Sequence, residues 1–146
     1  MRRVNQLFVQ RDVRPVASPA DAREFEQTPL ATYLNLNNSY EAIQASARDF
    51  PDKPALLFLP TGAVEEACIE YSFRQFLACV TQAANVFSAL GVGRDDAVLI
   101  LAPPYPGTYL SLFGAQACGI SVAANPFLSL EHLTAIAASA GAKVIV

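Results

Sequence analysis

A chain of 146 residues has the length of one ordinary domain and can bury a single core. Apolar residues make up 53% and charged residues only 16%, against about 25% charged in most soluble domains, and mean hydropathy is +0.30, which excludes disorder. The net charge is −3 and the basic residues are scattered, so the electrostatic footprint of a nucleic-acid or anionic-lipid binder is missing.

Charge is unevenly placed: 21 of the 23 charged residues lie between Arg2 and Asp96, and the last fifty positions hold only Glu131 and Lys143. The uncharged stretch from Ala97 to Leu130 exceeds the roughly 20 apolar residues of a membrane span. Pro103, Pro104, Pro106, Gly107, Gly119 and Pro126 cut it into short pieces, and Gln116 and Asn125 would carry amides to depth, so no transmembrane segment is expected. Arg2 and Arg3 precede an apolar run of only Leu7 to Val9, too short for a secretory signal. Cys68, Cys79 and Cys118 are odd in number and lack metal-ligand spacing, which points to core filling in a reducing cytoplasm and to no metal site.

Residues 1–37, rich in Arg, Asp, Glu, Gln and Pro, have no clear period and read as an irregular leader. From Asn38 a short helix is expected, with Asn38 and Glu41 at capping-box spacing and Ile43, Ala47 and Phe50 on one side, ended by Pro51 and Pro54. Ala55–Leu59, a turn at Pro60-Thr61-Gly62, and Cys68–Tyr71 read as a β-hairpin whose outer face is acidic, with Glu65, Glu66 and Glu70. Ser72 and Gln75 then form a capping box, and Tyr71 is placed to staple against Phe76. Phe73, Phe76, Leu77, Val80, Ala83, Ala84, Phe87 and Leu90 mark one face of the helix that follows, and Gly91 supplies its left-handed stop. Ala97–Ala102 is apolar on both faces, as a central parallel strand requires. A helix over Pro106–Cys118, a strand over Ile120–Ala124, a helix capped by Ser129 and closed at Gly141, and a strand over Lys143–Val146 complete the pattern. The fold class is therefore α/β: an N-terminal hairpin plus a partial doubly wound parallel sheet (βαβαβ), read as an incomplete piece of a larger domain because three parallel strands leave an open apolar edge.

Chemistry is sparse. Gly91-Val92-Gly93 lies between helix and strand and lacks a third glycine, so it is a helix stop and not a dinucleotide loop. Gly114 to Gly119 mimics a phosphate-loop spacing, yet Ile120 stands where lysine is needed and the order is helix then strand, so close helix packing through Gly114, Ala115 and Ala117 is the better account. His132 is the single histidine and opens a helix, an exposed position with no triad around it. Asp95-Asp96 and Glu65-Glu66 are neighbours in turns, which seldom converge on one reacting atom. No catalytic residue is assigned. The segment Pro103–Thr108 follows the carboxyl end of a parallel strand, where open α/β sheets place ligands, so Tyr105, Thr108 and Tyr109 are the candidate substrate-binding residues beside the plainer reading of a rigid crossover turn.

In their order the segments resemble a family. Phe50-Pro51-Asp52-Lys53-Pro54-Ala55-Leu56, then Ile69-Glu70-Tyr71-Ser72-Phe73, then Ala83 through Gly93, resemble the opening of acyl-CoA synthetases in the adenylate-forming (AMP-binding) superfamily. Ala97–Pro103 is similar to that family's first sheet strand, Gly114–Leu128 to its small-residue helix, strand and Asn-Pro turn, and Ala140–Val146 to the strand before its phosphate loop. The likeness covers residues 26 to 146, with Glu70 in place of the family's usual Thr and Pro104 in place of Asn. Asn125-Pro126 is closer to acid–CoA ligases than to amino-acid-activating domains. The resemblance implies that residues 38–146 are the N-terminal part of an AMP-binding domain in an ATP-dependent acid–CoA ligase. Its cofactors would be ATP, Mg2+ and coenzyme A, its substrate a carboxylic (fatty) acid, and its partner the remainder of the enzyme. The residues that bind phosphate and catalyse would lie beyond the segment matched here, leaving this chain inactive alone. A non-catalytic interaction domain, a Rossmann-type nucleotide-binding module, and a related ligase that stops at the acyl adenylate are the alternatives; the absent glycine loop counts against the second.

Overall fold

The computed structural model describes residues 15–29, 36–63 and 65–146. They fall into two compact units that part between Asn38 and Ser39. In the first unit Pro19–Glu26 forms a helix, α1, inside the segment read from sequence as irregular. Its cause is local: the Ser18 hydroxyl oxygen accepts from the Asp21 amide at 3.2 Å, the Asp21 carboxylate accepts from the Ser18 amide at 2.9 Å, and Pro19 opens the first turn. Eight residues with no buried side chain carry no apolar period, so the cap is the one visible signal.

The second unit begins with α2, Ser39–Asp49, which buries Ile43. Strands β1, Pro54–Phe58, and β2, Ile69–Ser72, pair antiparallel with Leu56 opposite Tyr71 and Phe58 opposite Ile69. The connection runs from Leu59 to Cys68, one residue longer at each end than the strands expected from sequence leave, and Glu66 holds its first turn. Its carboxylate accepts from the Thr61 amide at 2.8 Å and the Gly62 amide at 3.0 Å, and from the Thr61 hydroxyl. Desolvation raises the pKa of Glu66, but the Thr61 hydroxyl and the two amides outweigh it and leave the carboxyl below its ordinary value.

Helix α3, Phe73–Ala89, starts as its sequence dictates. Ser72 Oγ accepts from the Gln75 amide at 3.3 Å and Gln75 Oε1 accepts from the Ser72 amide at 2.9 Å. At the far end Val92 N–H donates to Phe87 O and Gly91 N–H to Ser88 O, with Gly91 at φ 84°, a left-handed turn that only glycine takes freely. Phe76, Val80 and Phe87 are buried, whereas Leu90 is 57% exposed because the helix has already closed at that residue.

Strand β3, Ala97–Ile100, is fully buried along its whole length, as its two-faced apolar pattern requires. Helix α4, Pro106–Cys118, leads to β4, Ile120–Ala123; helix α5, Leu130–Ala140, leads to β5, Ala142–Ile145. Both outer strands run parallel to β3, giving the order β4-β3-β5. Ala97 faces Ala142 but Val98 faces Val144, so the register skips Lys143. Its ammonium donates to Gly91 O, just beyond α3, and to Asp96 Oδ2 at 3.1 Å.

Two clusters make the core. Ile43, Phe76 and Val80 pack with Leu56, Tyr71, Leu110 and Phe113, joining α2, the hairpin, α3 and α4. Phe87, Val92, Val98, Ile100 and Ala115 join the end of α3 to β3 and α4. Helix α3 thus spans both, with Phe76 edge-on to Phe113 at 5.7 Å. Val80, Val98, Leu99 and Ile100 lose essentially all contact with water, which contributes about 1.5–3 kcal/mol for each side chain of this size. Helices α3 and α4 approach so closely that a Cβ on Gly114 would lie 2.6 Å from Ala83 Cβ. Thr81 donates to Leu77 O at 2.8 Å, which leaves Tyr40 Oη to donate to Thr81 Oγ1 at 2.7 Å and tie α2 to α3. No described helix is long and apolar enough to cross a membrane.

Candidate functional site

The parallel ladder brings three chain segments side by side at the carboxyl end of the sheet. Leu101 N–H donates to Val146 O at 2.7 Å, and Ala124 N–H to Ile100 O at 3.1 Å. Open α/β sheets put ligands at this end, where the strands give way to loops.

The loop from β3 to α4 is rigid for reasons visible in its residues. Pro103, Pro104 and Pro106 fix three φ angles. Tyr105 N–H donates to Pro103 O at 2.7 Å, Thr108 N–H donates to Tyr105 O at 3.0 Å, and the Thr108 hydroxyl also donates to Pro103 O. Tyr105 is the N-cap of α4 in extended conformation, with no side-chain hydrogen bond to the helix, and Pro106 occupies the first helical position. Of the three candidates, Thr108 spends its hydroxyl proton inside the loop. Tyr105 and Tyr109, 55% and 38% exposed, keep accessible rings one helical turn apart. Phe58, from the hairpin, lies against Tyr105 with ring centroids 5.3 Å apart and planes tilted by 56°. Nothing local announces that contact: Phe58 alternates with Leu56, which marks it as inward-facing but does not name its neighbour.

The loop after β4 is an Asn-led turn in which Asn125 Oδ1 accepts from the Phe127 amide at 3.0 Å. It leaves Phe127 90% exposed, an aromatic side chain the sequence reading passed over. Ser129 caps α5 by accepting from the His132 amide at 3.3 Å, and its hydroxyl also lies 2.7 Å from His132 Nδ1. The His132 ring therefore serves the cap.

One member of each carboxylate pair, Glu66 and Asp96, is likewise occupied with structure. Asp96 Oδ2 accepts from the Gly93 amide at 2.8 Å and from Lys143, and these two contacts hold its carboxyl below the ordinary value. Cys118 donates to Gly114 O at 3.4 Å, and burial pushes its thiol up, away from nucleophilic character. The described residues do not fit a nucleotide triphosphate or its magnesium. Lys143 is engaged at the amino end of the sheet; the glycines at positive φ, Gly62, Gly91 and Gly141, sit in the hairpin connection and at helix C-termini; and no three His, Cys, Asp or Glu side chains converge. What the β3–α4 loop and the start of α4 do present at the carboxyl end is two exposed tyrosine rings, Tyr105 and Tyr109, and no charged side chain between Pro103 and Thr108.

A hairpin packed by helices beside a parallel three-stranded sheet defines the class, a mixed α/β unit with its strand-to-helix loops at the carboxyl end of the sheet. The family model for AMP-binding enzymes matches residues 43–146, and the chain belongs to that family. It is 30% identical, over 95% of its length, to marinolic acid–CoA ligase of Pseudoalteromonas sp. (strain SANK 73390), and spans 22% of that protein. To 4-coumarate–CoA ligase 1 of Arabidopsis thaliana it is 31% identical over 73% of its length, spanning 18% of that protein. The N-terminal domain of FACL13 from Mycobacterium tuberculosis shares the fold with a TM-score of 0.67 at 22% identity, covering 75% of this chain and 27% of that one. The chain thus spans about a fifth of the length of these curated relatives.

Proposed function

We propose that this chain is the N-terminal part of an ATP-dependent acid–CoA ligase, which joins a carboxylic acid to coenzyme A through an acyl adenylate and releases AMP and pyrophosphate. The observation that carries the reading is the family match over residues 43–146, together with a CoA ligase similar over 95% of this chain. Fatty acid metabolism is the proposed setting and the cytoplasm the proposed location, consistent with three unpaired thiols of which Cys68 is exposed. ATP, Mg2+ and coenzyme A are the proposed cofactors of the whole enzyme. Its remaining polypeptide would supply the cationic, amide-rich phosphate site that the described residues do not fit. In this reading Tyr105, Thr108 and Tyr109 line the acid site: Tyr105 and Tyr109 face the substrate and Thr108 sets the loop.

The experiment is acid-dependent ATP–pyrophosphate exchange with the complete polypeptide, followed by a test for CoA-dependent thioester formation. Exchange with at least one acid and thioester only with CoA is expected; the 146-residue chain alone should give no exchange. Absence of exchange across a broad acid panel would refute the reading, and exchange without any thioester would shift it to a ligase that stops at the acyl adenylate. A second reading, an interaction module pairing through a sheet edge, is favoured by Ile120 and Ile145, both about half exposed on the two outer strands. Stable capture of a partner by a polypeptide without exchange activity would support it.

A further inference from the structure

We infer that Phe58 is a positioning residue for the acid site, acting through Tyr105 and setting a preference for acids with an extended apolar body; this rests on the acid-site reading above. Every backbone freedom of Tyr105 is already removed. Its amide is bonded to Pro103 O, its carbonyl to Thr108 N–H, and a proline follows it. Its side chain is the opposite case: it makes no cap hydrogen bond and is 55% exposed, so the ring's rotamer is decided by what packs on it.

Phe58 is in contact with that ring, and it comes from a separate, independently braced element. It is paired opposite Ile69 in the hairpin, whose connection is clasped by the Glu66 carboxylate on the Thr61 and Gly62 amides. A tilted aromatic pair at 5.3 Å favours one mutual orientation over others. The hairpin thereby fixes how Tyr105 stands at the carboxyl end of β3, while α4 fixes Tyr109 independently. A wall built from two rings held by two different elements keeps its shape only while both supports are present. A long or aromatic acid touches more of such a wall than acetate does, so disturbing one ring penalises large acids selectively.

The test uses the complete polypeptide and acid-dependent ATP–pyrophosphate exchange, with acetate, octanoate, dodecanoate and benzoate as probes. Phe58→Ala is expected to raise KM for the best large acid about tenfold, leave KM for ATP unchanged and kcat within about twofold, and move KM for acetate least. Phe58→Tyr, which keeps the ring, should restore the parental KM. Phe58→Ala combined with Tyr105→Ala should be no worse than Tyr105→Ala alone. Phe58→Leu keeps the apolar bulk without the ring and replaces the alanine variant if that one does not melt cooperatively. A rise in acid KM with Tyr105→Ala but none with either Phe58 variant overturns the inference and leaves the acid site standing. Additive effects, or equal losses for all acids and for ATP, also overturn it. No change of acid KM in Tyr105→Ala instead refutes the acid-site reading itself.

Discussion

Replacing Gly114 by alanine tests the helix packing on which the site rests. The new methyl would lie 2.6 Å from Ala83 Cβ, 3.1 Å from the Ala84 nitrogen and 3.2 Å from the Ala83 carbonyl carbon, where carbon atoms normally sit about 3.5–4.0 Å apart. Two of these neighbours are backbone, so relief requires α4 to retreat from α3 by roughly 1 Å. Overpacking of this kind costs about 1–3 kcal/mol, and the gain in helix propensity from glycine to alanine returns about 1 kcal/mol. Because two of the three contacts are with backbone, the upper half of the overpacking range applies and the net loss expected is about 1–2 kcal/mol, a fall in Tm of about 2–8 °C for a domain of this size. Urea and thermal unfolding of the parent, Gly114→Ala, Ala83→Gly and the double variant form a cycle that isolates the contact. The double variant should show a favourable coupling but incomplete recovery, because the two backbone contacts persist. A Gly114→Ala protein as stable as its parent would refute the close approach of α3 and α4.

Three further outcomes are expected. Asp96 has a folded-state pKa below its ordinary 3.8, through the Gly93 amide and Lys143, so its stabilising effect is present above that value and is lost as the pH falls through the lower folded one; Asp96→Asn should lower stability at pH 7 and flatten the acid limb of the unfolding curve below about pH 4, and an unchanged acid limb would contradict the assignment. Ser72→Ala removes the α3 cap and should cost about 1 kcal/mol in urea unfolding, with Ser72→Gly recovering most of it; equal losses for both would implicate something other than the cap. A thiol reagent should label exposed Cys68 in the native protein and reach the partly buried Cys79 and Cys118 mainly on unfolding, a pattern that equal native rates at all three would overturn.

What could be read from the sequence was what neighbouring residues decide. Ser72 with Gln75, Gly91 after the last apolar residue, and the unbroken Ala-Val-Leu-Ile of β3 each carry their own instruction, and the structure follows all three. Helix α1 escaped because its signal is a polar cap, Ser18 with Asp21, unsupported by an apolar stripe. Glu66 and Asp96 looked like solvated turn carboxylates; their bracing roles depend on amides brought into range only by the folded turn. At the candidate site the loop's stiffness is spelled by its prolines. The Phe58–Tyr105 contact spans two elements paired through tertiary packing, and no periodicity encodes a partner 47 positions away.

Lys143 gives strand β5 a keyed position. A strand bordered by a smooth apolar neighbour could slide along it by one residue, exchanging its two faces at little backbone cost. Here the skipped pairing at Lys143 directs its amine to two acceptors that belong to different parts of the chain, the carbonyl after α3 and the carboxylate before β3. Any slip would withdraw the amine from both at once. The fit is a lock with two wards: the sheet's third strand finds its seat only where helix α3 has ended and β3 has begun, so the placement of the last strand records that the two earlier elements are already correct.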